Sequence, residues 1–177
     1  MDIGGIPTLL GTETASGTAQ INFTSNIDST YPIYTFVFLN IHPASDGSNF
    51  QFQAGTSYNT TITSTYFGAK HTGGGADGGV AYLVANVLVQ STDWQNLFHE
   101  MDHDNTSSVC GMLHIYNPSS TTYMKHWMCV TQGVANSDIS FNNFSQGYLN
   151  TTSAITAVGF KCTSNTDAGV IKMYGVK

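Results

Sequence analysis

The sequence predicts an all-β fold: a two-sheet antiparallel sandwich, jelly-roll-like, with about ten strands and an extended N-terminal arm. Three observations carry the prediction. Apolar and polar residues alternate along most of the chain, turn-forming clusters break that alternation every 10 to 20 residues, and nothing recurs at a fixed period, which argues against a propeller or solenoid.

Residues 1–14 hold Gly4, Gly5 and Pro7 and lack alternation, so they read as an arm that docks on its own domain, a neighbouring subunit or another protein. Residues 15–177 read as the sandwich domain. Its alternating runs are residues 19–25, 33–40, 49–53, 60–67, 80–89, 109–117, 123–131, 139–144, 154–162 and 169–176. The second run puts Ile33, Val37 and Leu39 on one side and Tyr34, Phe36 and Phe38 on the other, which suits a strand covered on both faces. Gly, Pro, Asn, Asp and Ser concentrate between runs, at residues 43–49, 72–79, 117–122 and 163–169.

One hairpin is specific enough to give a register. If Asn117 and Thr122 close a four-residue loop, Cys110 faces Cys129, Met112 faces Trp127, His114 faces Lys125 and Tyr116 faces Tyr123. A disulfide between directly opposite strand residues is strained, so reduced, packed cysteines are expected. A short helix or helical turn is expected over residues 92–101, where Trp94, Leu97, Phe98 and Met101 fall at i, i+3, i+4 and i+7, one face of about two turns, behind a capping Thr92 or Asp93.

Composition excludes several function classes. Charged residues are 9% of the 177, against roughly 25% in average soluble proteins, and there is no arginine. Five lysines against eleven carboxylates, a formal net charge of -6, give no footprint for nucleic acid. With 41% hydrophobic and 12% aromatic residues the chain buries enough apolar area to fold rather than stay disordered. Cys110, Cys129 and Cys162 are too few and too widely spaced for a disulfide framework. The first residues lack an apolar signal-peptide core, so synthesis in the cytoplasm is expected. The longest mostly apolar run, residues 80–89, is about half of the roughly 20 residues a membrane-spanning helix needs. The sequons at Asn22, Asn59, Asn105, Asn143 and Asn150 read as chance matches in an Asn- and Thr-rich chain.

The motif closest to catalysis is His99-Glu100-Met101-Asp102-His103, which has the H-E-x-x-H spacing of zinc peptidases. That chemistry needs a helix through the second histidine, whereas Asp102, Asp104, Asn105, Thr106 and Ser107 are loop formers, and no third ligand follows at a known spacing. Asp102 to Asn105 offers calcium ligands without the glycine and distal glutamate of an EF-hand. The glycines at 73–75 and 78–79 lack phosphate-loop spacing, no G-x-S-x-G elbow exists, and Glu13 and Glu100 do not read as a glycosidase pair. The reading is therefore not an enzyme, with no catalytic residue, cofactor-binding residue or metal ligand assigned. Tyr58, Tyr66, Trp94, Tyr123 and Trp127 are candidates for stacking on a sugar, set against the packing role most aromatics have in such a fold.

Several segments carry a family resemblance: Asp28-Ser29-Thr30-Tyr31; the pattern Tyr34, Phe36, Phe38, Asn40, His42-Pro43; His114, then Tyr116-Asn117-Pro118-Ser119-Ser120-Thr121-Thr122; Gly147-Tyr148; and the run from Asp167-Ala168-Gly169 to Met173-Tyr174-Gly175. With these the chain resembles a family of small virion proteins of tailed phages, abundant in marine and cyanobacterial phages, over almost its whole length. The resemblance implies a β-sandwich virion component of the capsid-decoration, tail or fibre kind, and it carries no active site. It implies a homo-oligomer, for example a trimer, located in the virion and contacting a major capsid or tail protein, with the arm as the attachment. A surface rich in Thr, Ser and Asn gives up little desolvation energy in repeated contacts, which agrees. The alternative expectation is a lectin-like carbohydrate-binding module for host surface glycans.

Overall fold

The computed structural model describes residues 6–75 and 77–177. The chain is all-β: β1 (Thr8–Thr18), β2 (Ile21–Phe23), β3 (Ile33–Pro43), β4 (Ser48–Ala54), β5 (Ile62–Thr72), β6 (Gly78–Tyr82), β7 (Gln95–Met101), β8 (Val109–Tyr116), β9 (Lys125–Ala135), β10 (Ile139–Leu149), β11 (Val158–Cys162) and β12 (Thr166–Val176), with a 3-10 turn at Val84–Asn86. Every pairing among the described residues is antiparallel.

The strands lie in the order β1-β12-β3-β8-β9, and at β9 the sheet divides. One branch continues through β10, β5 and β6. The other passes from the end of β9, through the single pair Ala135–Met101, into β7-β4-β11-β2. The outermost strands of this long path, β1 and β2, are joined by Ala19 and Gln20, and they meet again in space. The Phe23 ring lies 3.4 Å from where a Cβ on Gly11 would sit, and Asn26 Nδ2 donates to the Leu10 carbonyl at 3.1 Å. The sheet is thus nearly barrel-shaped.

The centre of the core is aromatic. Phe160 of β11 packs against Phe36 and Phe38 of β3 and against Phe50 of β4, with ring centroids 5.2, 5.3 and 6.0 Å away, and Phe23 closes the cluster. Aromatic rings of this kind, buried from water, contribute roughly 1.5–3 kcal/mol each.

Four expectations need correction. Residues 95–101 are strand β7, not a helical turn. The register against β4 shifts between Phe50 and Gln51, and this bulge lets the consecutive Leu97 and Phe98 both face inward, which breaks the two-residue period and imitates helical spacing. The β8–β9 hairpin pairs Leu113 with Cys129, His114 with Met128 and Ile115 with Trp127, three residues away from the expected register, because its loop spans residues 117–124. An odd shift exchanges faces, and only the observed register puts Leu113, Ile115, Trp127 and Cys129 together in the core. The run 80–89 is strand only to Tyr82. Finally, the expected boundary between residues 14 and 15 falls inside β1: Thr8 to Thr14 dock on their own domain, the first of the three expected sites, as the first part of that strand, paired with β12; Met1 to Gly5 lie outside the described residues.

Candidate interaction surface

The histidine motif does not converge. His99 stands on β7 with its Nδ1 3.1 Å from the Tyr66 hydroxyl and its ring edge-on to Phe141, and burial holds its pKa below the ordinary imidazole value. His103 lies in the following loop, exposed, 3.4 Å from the Asp46 carboxylate. Glu100, at φ 52°, lines a cleft of about 450 Å3 with His99 instead of a metal pair. What the loops do gather is Asp102, Asp104 and Asp138, whose carboxylate atoms lie within 4.8 Å of one another. Asp102 is already satisfied: Ser107 Oγ donates to it at 2.6 Å and the Asp104 N–H at 3.3 Å, and the first of these holds its carboxyl below the usual range.

The glycines at 73–75 form the tip of the β5–β6 hairpin, where Thr72 accepts from the Asp77 N–H. Of the aromatics considered for sugar stacking, Tyr66 and Trp127 are core side chains. Tyr58 and Trp94 stack on each other with centroids 5.9 Å apart and Lys161 Nζ 4.4 Å from the indole, and Tyr123 is exposed on the β8–β9 loop. All three cysteines are free; Cys129 and Cys162 are buried, and burial pushes the Cys162 thiol up to about 11. Half-exposed Cys110 is bonded to Asn40.

The most coherent surface is one that no motif marks. Opposed residues on the outer face run in a line across the sheet: Val37 on β3, Met112 on β8, Val130 on β9, Phe144 on β10, Phe67 on β5 and Tyr82 on β6. Met112, Val130, Phe144 and Tyr82 are exposed, and Phe67 and Phe144 stack with centroids 5.1 Å apart. The neighbouring row adds Met128, 49% exposed, with Tyr116 donating to its sulfur. Among the described residues, no Asp, Glu or Lys of β3, β8, β9, β10 or β5 lies on this face; Lys70 of β5 is exposed but stands on the opposite face, at the parity of Tyr66 and Gly68. His114, whose Nδ1 lies 2.8 Å from Thr35 Oγ1, has its pKa lowered by burial, which keeps it neutral at pH 7.

Five strands about 4.8 Å apart, each presenting about five same-face residues, make a face on the order of 800 Å2, the area each partner contributes to a standard protein interface. The face is uncharged rather than uniformly apolar: Thr65, Gln132, Asn142 and Gln146 lie on it beside the apolar line. The sequence held one signal for it: β9 carries apolar residues on both parities, Trp127 and Cys129 inward, Met128 and Val130 outward.

Compared with known proteins, the chain matches no family model, no curated protein and no solved structure.

Proposed function

We propose that this chain is a non-enzymatic structural protein of a phage virion, of the capsid-decoration, tail or fibre kind, which assembles with copies of itself through the uncharged outer face of β3, β8, β9, β10 and β5. The observation that carries self-assembly is that face. Two copies with a net charge of -6 repel each other, and the repulsion is least where neither presents an ionised side chain. The virion setting rests on the resemblance at Asp28–Tyr31, Tyr34–Pro43, His114–Thr122, Gly147–Tyr148 and Asp167–Gly175, and with it the contact to a capsid or tail protein through residues 1–10. We read β1-β12-β3-β8-β9 as one layer of a jelly-roll-like sandwich and β7-β4-β11-β2 as the other, a reading supported by Phe36 and Phe38 of β3 packing on Phe160 of β11.

Sedimentation velocity tests the assembly: the wild type is expected to be oligomeric, and V130K combined with F144K to shift it to monomer with an unchanged circular dichroism spectrum. A monomeric wild type at high micromolar concentration would overturn the self-assembly reading. Mass spectrometry of purified particles tests the virion setting, and deletion of residues 1–10 is expected to abolish incorporation.

A further inference from the structure

The outer face ends at β6, and β6 is a sheet edge: among the described residues it pairs with β5 alone. Which of its backbone groups face the open side follows from the register. Partners across β5–β6 sum to 149, as in Phe67–Tyr82 and Ala69–Val80. The Leu83 N–H donates to the Tyr66 carbonyl and the Thr72 N–H to the Asp77 carbonyl, so the pairs 66/83 and 72/77 are hydrogen-bonded pairs. In an antiparallel ladder, bonded and non-bonded pairs alternate. Gly68–Ala81 and Lys70–Gly79 therefore exchange bonds across the ladder, and the N–H and C=O of Gly78, Val80 and Tyr82 point away from β5.

Natural sheets guard such edges with lysine, proline, a bulge or a covering loop. Gly78-Gly79-Val80-Ala81-Tyr82 has no charge and no proline, its register shows no bulge, and all five residues are exposed. We propose that this edge is a docking site for the β6 strand of a second copy, paired antiparallel about a two-fold axis through Val80, so that two sheets become continuous.

The segment is self-complementary in that arrangement. Val80 faces Val80 of the second copy and Gly78 faces Tyr82, and these are the positions whose backbone groups are free. The two-fold thus pairs outward-pointing donors with outward-pointing acceptors and leaves the bonds to β5 in place. Tyr82 lies over the glycine opposite, a pairing that covers an edge glycine with an aromatic ring. Asp77, the nearest carboxylate on the strand's approach, is held 2.9 Å from Lys70, which removes a like-charge obstacle between two acidic chains. The edge is also continuous with the apolar face through Tyr82 and Phe67. This inference rests on the self-assembly reading and adds a second contact to it.

Amide hydrogen exchange of the full chain, followed by NMR across a concentration series, provides the test. The Val80 and Tyr82 amides are expected to gain at least about tenfold protection as concentration rises, while the Ala81 amide, bonded to Gly68, stays protected at every concentration. V80K, which places two like charges at the two-fold, is expected to abolish the gain and leave the fold intact, since Val80 is 78% exposed. V80P removes an outward donor and no donor to β5, and is expected to do the same. Concentration-independent exchange at Val80 and Tyr82 overturns the edge pairing. If V130K with F144K changes the oligomer and V80K does not, the edge contact fails while the face contact stands; if neither does, both fail.

Discussion

The two halves of the interior are built on different physics. Between β3, β4 and β11 the core is a cluster of phenylalanines packed ring against ring. Between β5, β7, β9 and β10 it is polar: Thr131 Oγ1 donates to the Leu97 carbonyl at 2.7 Å, Tyr66 meets His99, and Asn143, Ser145 and Gln95 are all buried. Several atoms of this second half, both amide atoms of Asn143, Ser145 Oγ, Gln95 Oε1 and Trp127 Nε1, have no hydrogen-bond partner among the described residues. The aromatic half supplies cohesion; the polar half lies directly beneath the outer face and spends stability there.

The largest effect is expected in the aromatic half. Phe160→Ala removes the ring that touches Phe36, Phe38 and Phe50, and should cost about 3–5 kcal/mol in urea unfolding. Asn143→Val should act in the opposite direction, raising stability by about 1 kcal/mol by removing two unpaired buried atoms. A loss of similar size would instead show that bound water satisfies the amide, and would narrow the contrast between the halves.

The aromatic half was legible in the sequence and the polar half was not. Tyr34, Phe36 and Phe38 alternate cleanly against Ile33, Val37 and Leu39, so β3 follows from a period of two, although the expected cover on both faces is absent at Leu39, which is exposed. In β7 the bulge that turns both Leu97 and Phe98 inward erased that period, and β1, mostly Thr, Gly, Ser and exposed, is held by backbone pairing to β12 that no side-chain pattern records. The hairpin register failed because turn residues at 117–122 mark where a loop begins but not how far it runs. The outer face was hidden for a related reason: its line crosses five strand pairings, and each strand contributes only one residue to it.

Acidification should separate the halves again. Burial keeps the pKa of His99 below that of an unfolded histidine, so its contribution is present above about pH 6.5 and is lost as pH falls below that value, when the unfolded chain binds the proton more readily. Melting temperature should therefore decline from pH 7 to pH 5, and His99→Gln should flatten the decline. Asp102, depressed by the Ser107 hydrogen bond, adds a further loss only below about pH 4. The smallest effect is expected at Lys125, wholly buried, whose ammonium donates to the Thr151 carbonyl at 3.1 Å and whose pKa is lowered by burial. Lys125→Met should raise the melting temperature slightly, because two of its three donors gain nothing from the fold.

The pairing of β1 with β12 has a kinetic consequence. A ribosome releases Thr8–Thr18 long before Thr166–Val176, so the earliest strand waits through most of translation with one edge bare, and Phe23, beside it, waits for Phe160. Contacts so distant along the chain make folding slow and leave adhesive intermediates. The interval between synthesis and closure is therefore when unwanted aggregation competes hardest.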